Sequence, residues 1–185
     1  MLDIDPVLAF KSASEEKWGR TSIKNTVWGF QIQAHTRWNP GLTDEAIRQY
    51  EIAVDASFHP DFKTFLRCMN GTDLPAINVL GGSREPPRFA PGFYSYPRDL
   101  ERIRANIEYV GKERVQLNAT LEEQGFHLPD EAKLIPIFGH RYVVCSSILD
   151  ACPVLSIWDA SDAIVYGRTL LGYLEKEVLG ERQMQ

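Results

Sequence analysis

Between Leu134 and Tyr166 the chain carries four short apolar or alternating runs, "LIPIF", "RYVVC", "PVLSIW" and "AIVY", separated by turn-forming residues. Runs of this length with such punctuation predict neighbouring antiparallel strands. A closing helix is predicted to cover them. In "RTLLGYLEKEVLG", Thr169 is a capping residue, Leu170, Leu171, Leu174 and Val178 face inward, and Gly180 follows the end.

The preceding half reads mainly as helices. "GLTDEAIRQYEIAVDASFHPDFKTFLRCMNG" predicts two: Thr43 caps the first, and Asp44 and Glu45 suit its positive dipole end. Ile47, Tyr50 and Val54 form its apolar stripe. In the second, Pro60 fits the first helical position, Phe62, Phe65, Leu66 and Met69 share a buried face, and Asn70-Gly71 supplies a stop. After a short apolar piece, "INVL", the stretch "GGSREPPRFAPGFYSYP" predicts a long surface loop. A helix is expected from about Asp99, with Leu100, Ile103, Ile107 and Val110 on one side, resuming through Leu117 and Leu121 until Gly125.

The first 41 residues are harder to read. In "TVWGFQIQAHTRW" the alternation of Trp28, Phe30, Ile32 and Ala34 with Gln31 and Gln33 predicts a half-buried strand. Trp18, Trp28 and Trp38 are evenly spaced without repeating surroundings, and core or edge packing is expected of them. Helices grouped before a small meander, then a last helix, make a single α+β domain, a mainly antiparallel sheet packed with helices. Residues 1–41 form an N-terminal extension of that domain, 42–180 its body and 181–185 a flexible tail.

Composition narrows the function classes. At 185 residues one domain is the default. Lysine and arginine number 20 against 25 acids, and the formal charge of −5 argues against general affinity for nucleic acid. Cys68, Cys145 and Cys152 are an odd set and read as reduced thiols. "MLDIDPVLAF" has acids where a signal peptide needs bases, and no apolar run approaches the roughly 18 residues of a membrane span, so a cytoplasmic location and no membrane partner are expected.

Two stretches carry a family resemblance. "FHPDFKTFLRCMNG" resembles the helix-turn-helix opening of the SUKH superfamily, the Smi/Knr-like proteins, at Pro60, Asp61, Phe62, Phe65, Leu66, Asn70 and Gly71. From "LIPIFGHRY" through "PVLSIWDASDAIVYGRTLLGYLEKEV" the chain is similar to the C-terminal half of a bacterial branch, with His140, Arg141, Tyr142, Pro153, Val154, Ser156, Asp162, Tyr166, Gly167, Leu170 and Tyr173 in matching order. The resemblance spans roughly Leu42 to Val178. The loop after "INVL", the stretch "VGKERVQLNATLEEQGFH" and the link "CSSILDACP" depart from it.

The resemblance implies a SUKH-like α+β fold and a non-enzymatic immunity protein that binds a cognate bacterial toxin domain, often a nuclease, by occluding its active site. The alternative is a regulatory or scaffold module with a cellular partner, and a third reading is a hydrolase centred on His140 and Asp162. Sequence proximity among His140, Arg141 and Tyr142 supplies no orienting partner or nucleophile, which favours a structural role, with Asp162 as a partner for Arg141.

No cofactor or metal is expected. The four histidines lack the spacing that gives zinc two ligands on one helix face. Asp150, Asp159 and Asp162 could hold magnesium, but turn chemistry is the preferred reading of "WDASDA". For capture of a toxin with a basic surface, the candidate contacts are Trp158, Asp159, Asp162, Phe93 and Tyr94, with Phe89 and Tyr96 in the same loop.

Overall fold

The computed structural model describes residues 2–79 and 88–180. The expected tail at 181–185 lies outside the described residues, as does most of the proline- and glycine-rich stretch before Arg88. In chain order the elements are α1 (Ile4–Gly19), β1 (Gly29–Ile32), β2 (Trp38–Pro40), α2 (Asp44–Ala53), α3 (Pro60–Cys68), β3 (Met69–Thr72), β4 (Ala76–Val79), β5 (Arg88–Ala90), α4 (Leu100–Lys112), α5 (Arg114–Glu122), β6 (Lys133–Phe138), β7 (Arg141–Cys145), β8 (Val154–Ile157), β9 (Ala163–Gly167) and α6 (Leu170–Leu174). The strands form three antiparallel sheets, β1-β4-β5, β2-β3 and the meander β6-β7-β8-β9, and the fold is α+β.

The meander organises the interior because it is buried on both faces. Ile135, Val143, Cys145 and Val154 point into a large cluster shared with α1, α3 and α6. Their neighbours Leu134, Tyr142, Val144 and Leu155 point the other way, into a second cluster with Val110, Leu117 and Leu121 from α4 and α5. The two-residue period thus divides one set of strands between two apolar layers.

Helix ends follow the sequence closely where a cap is present. Thr43 accepts from Ala46 N–H and Thr169 from Gly172 N–H, satisfying otherwise orphaned donors. At α3 the Nδ1 of His59 accepts from Asp61 N–H, and Pro60 opens the helix. Phe62, Phe65 and Leu66 are all buried there. Each contributes about 1.5–3 kcal/mol relative to exposure, so this face anchors the helix.

Several expectations are corrected. Asn70-Gly71 does not end a helix at a turn: α3 stops at Cys68 and the chain runs straight into β3, with Gly71 at φ +67°. A Cβ on Gly71 would fall 2.4 Å from the Tyr94 carbonyl oxygen, so only glycine fits this crossing. The proline-rich stretch is not loop throughout, since Arg88–Ala90 pairs with β4 and Phe93 bridges to Phe138. The predicted N-terminal strand is confined to Gly29–Ile32, and Trp28, expected in packing, is 72% exposed. Leu171 is only half-buried, and α6 continues as a π-helical turn over Glu175–Leu179.

The N-terminal extension is integral to the core. Val7, Phe10 and Trp18 of α1 are buried in the larger cluster, and Trp18 and Trp38 pack with centroids 5.2 Å apart. The main-chain N–H of Leu2 donates to Asp61 Oδ1 at 2.6 Å, and Lys17 Nζ donates to the Val178 carbonyl at 2.7 Å. These contacts fasten α1 to α3 and to the C-terminal turn.

Candidate functional site

Most residues that carry the family resemblance hold the fold. Asn70 makes a two-way amide clasp with Tyr96, donating to its carbonyl at 2.6 Å and accepting from its N–H at 2.9 Å. Asp61 is buried, and Pro153 presents its carbonyl to Val144 N–H at 2.9 Å. A Cβ on Gly167 would meet the Tyr173 Cβ at 2.7 Å. Tyr142 is buried in the second cluster, where desolvation pushes its phenol up to about 12.

His140 and Arg141 are different, because they reach a concave site. The β6–β7 and β8–β9 turns lie at the same end of the meander, which places His140 and Arg141 beside Trp158. Together with Trp28, Phe30, Phe138 and Glu177 they line a cavity of about 310 Å³, near the lower end of ordinary ligand-site volumes. The His140 ring contacts Phe30 at 5.9 Å and meets Trp158 edge-on at 5.5 Å. Trp28 and Trp158 are 72% and 63% exposed.

The floor is polar. Arg141 Nη1 donates to Ser156 Oγ at 2.8 Å, its guanidinium lies 4.1 Å from the Tyr166 ring centroid, and its Nε stands 3.5 Å from Glu177 Oε2. Glu177, not the expected Asp162, is therefore the acid beside Arg141. Glu177 sits on the π-helical turn, a local widening that recurs at functional positions. His140 Nδ1, Arg141 Nε and Glu177 Oε2 are buried without hydrogen-bond partners. Desolvation first, and the Arg141 charge second, lower the His140 pKa to about 4, against a smaller opposing pull from Asp162. The ring is neutral at pH 7.

The other predicted contact residues divide. Asp159 closes the β8–β9 turn, accepting from the Ser161 hydroxyl at 2.7 Å, from Ser161 N–H at 2.8 Å and from Asp162 N–H at 2.9 Å. These bonds hold its carboxyl below the usual carboxylate range. Asp162 is exposed and accepts through its carbonyl from Trp158 N–H. Asp159 and Asp162 thus do turn work beside an exposed indole, and no cluster of metal-ligating side chains occurs among the described residues.

Phe93 must be removed from the contact set: it is 1% exposed, packed between Trp38 at 4.6 Å and Phe138 at 4.7 Å. Tyr94 is half-buried with its hydroxyl accepting from Asn106 Nδ2, and Tyr96 is stacked on Tyr50. Phe89 on β5 is 73% exposed.

Trp28 and Glu177 are the site residues that sequence reasoning missed. The signal for Glu177 was its place four residues after inward-facing Tyr173, which puts an acid on the buried side of the last helix.

All three cysteines are buried free thiols. No described helix is long and apolar enough to cross a membrane. Comparison with protein-family models, characterised proteins and solved structures finds no match to this chain.

Proposed function

We propose that this chain is a cytoplasmic immunity protein that binds and neutralises a bacterial toxin domain, a nuclease with a basic surface, without turning over a substrate. The observation that carries the reading is the pair of exposed tryptophans, Trp28 and Trp158, standing on one concave face. Tryptophan is enriched among residues that dominate binding energy, and here two exposed indoles line one cavity. Asp159 and Asp162 lie in the same turn as Trp158, and the net charge of −5 favours capture of a basic partner. The family resemblance at His140, Arg141, Tyr142, Tyr166 and Gly167 supports the same reading.

The surroundings of His140 favour binding over hydrolysis. A general base needs an orienting hydrogen bond on its second nitrogen, and His140 Nδ1 is buried without one, between aromatic rings.

The test is growth of toxin-sensitive cells expressing a nuclease toxin domain from the same genome, with and without the chain, together with co-purification. Rescue with a stoichiometric complex is expected. Absence of both rescue and complex overturns the reading in favour of a regulatory module with a cellular partner.

A further inference from the structure

From the Trp28–Trp158 cavity we infer a binding site for a flat, uncharged group that carries a hydrogen-bond donor and acceptor side by side, as a carboxamide or lactam does. The walls set the shape. Trp28, Phe30, Phe138 and Trp158 present aromatic surface from three chain segments, and such surface favours a planar guest.

The floor sets the charge. Arg141 and Glu177 face one another at 3.5 Å, and their side chains are only 14% and 17% exposed. Each charge is already matched by the other, so an anionic or cationic guest would enter without a counter-charge of its own, which is costly beside an ion pair this deeply buried. Hydrogen-bonding capacity is nevertheless unspent, since 3.5 Å is too long for a strong bond and Arg141 Nε, Glu177 Oε2 and His140 Nδ1 lack partners. These three atoms are closed to water, so a neutral amide reaches them by parting the Arg141 and Glu177 side chains, giving an N–H to the carboxylate and taking one from the guanidinium while the ion pair's balance stays intact. The neutral His140 ring adds no net charge to the site.

The amide site shares Trp28 and Trp158 with the proposed toxin-binding face but is tested separately from it. An amide site without a toxin complex and a toxin complex without an amide site are separate results.

Benzamide, benzoate and benzamidine share one ring and differ in charge, so they form the test set, alongside N-acetylglutamine methylamide. Titration of the full chain is followed through the four indole N–H resonances, with buried Trp18 and Trp38 as internal references. Benzamide is expected to shift Trp28 and Trp158, and the two charged analogues to bind at least about tenfold more weakly. Binding by the glutamine amide as well assigns the site to a partner's side chain. Binding by benzamide alone assigns it to a free aromatic amide.

Glu177→Gln leaves Arg141 uncompensated and should reverse the preference towards benzoate, whereas the wild-type ranking stands as a test by itself if that variant does not fold. A charged analogue binding wild type as tightly as benzamide, or no shift of either exposed indole up to the solubility limit of both amides, overturns the inference.

Discussion

The indole N–H of Trp38 donates to Ser14 Oγ at 2.8 Å, with both residues buried. Ser14 Oγ in turn donates to the Lys11 carbonyl at 2.8 Å, so one hydroxyl joins α1 to β2 inside the core. Ser14→Ala leaves the indole donor without its partner and is expected to lower unfolding free energy by about 1–3 kcal/mol. Urea unfolding of the two proteins measures this, and an unchanged midpoint would show that α1 docks through apolar contacts alone.

Two glycines should respond oppositely to the same change. Gly71→Ala places a methyl group against the Tyr94 main chain at a positive φ and should cost more than about 2 kcal/mol. Gly111 lies inside α4 with nothing within 4 Å of an added Cβ, so Gly111→Ala should stabilise by about 0.5–1 kcal/mol. Thermal melts of both variants check the pair.

Acid sensitivity should contain a His140 contribution. Its folded pKa of about 4 lies below the ordinary 6.5, so between these values the unfolded chain binds the extra proton and stability falls as pH falls. The contribution is complete above pH 6.5 and exhausted below pH 4. With the ring half-buried, solvent screening reduces it to about 1–2 kcal/mol. Denaturation curves from pH 7 to pH 4 should show a smaller loss in His140→Gln than in wild type.

Trp158 and Phe93 separate recognition from folding. Trp158→Ala should weaken a toxin complex by at least about 2 kcal/mol while moving stability by less than about 0.5 kcal/mol. Phe93→Ala should cost about 3–5 kcal/mol of stability, because its ring is enclosed by Trp38 and Phe138. Calorimetric titration and chemical denaturation of both variants distinguish the two effects.

The meander was readable because its strands are short, bounded by turns and cleanly split between two layers. Capped helices were readable for a similar reason: Thr43, Pro60 and Thr169 act within one turn of their own positions. Helix α1 was not, since its inward line runs Val7, Phe10, Ser14 and Trp18, and a buried serine interrupts the apolar stripe. The abrupt passage from α3 to β3 was hidden because Asn70-Gly71 has the composition of a turn, while its actual role depends on Tyr94 and Tyr96, more than twenty residues away. Arg141 and Glu177 are 36 positions apart, and the acid nearest in pattern, Asp162, was the wrong partner. Exposure of Trp28 likewise depends on where the three-stranded sheet ends, which local alternation does not encode.

Both broad faces of the four-stranded meander are covered by helices, so its turns carry what the sheet can offer to another molecule. His140 and Trp158 occupy two such turns at one end, outside the two apolar clusters. Changes of residue there can accumulate one at a time without repacking the interior. Sequence change is therefore cheaper at this rim than in the core it borders.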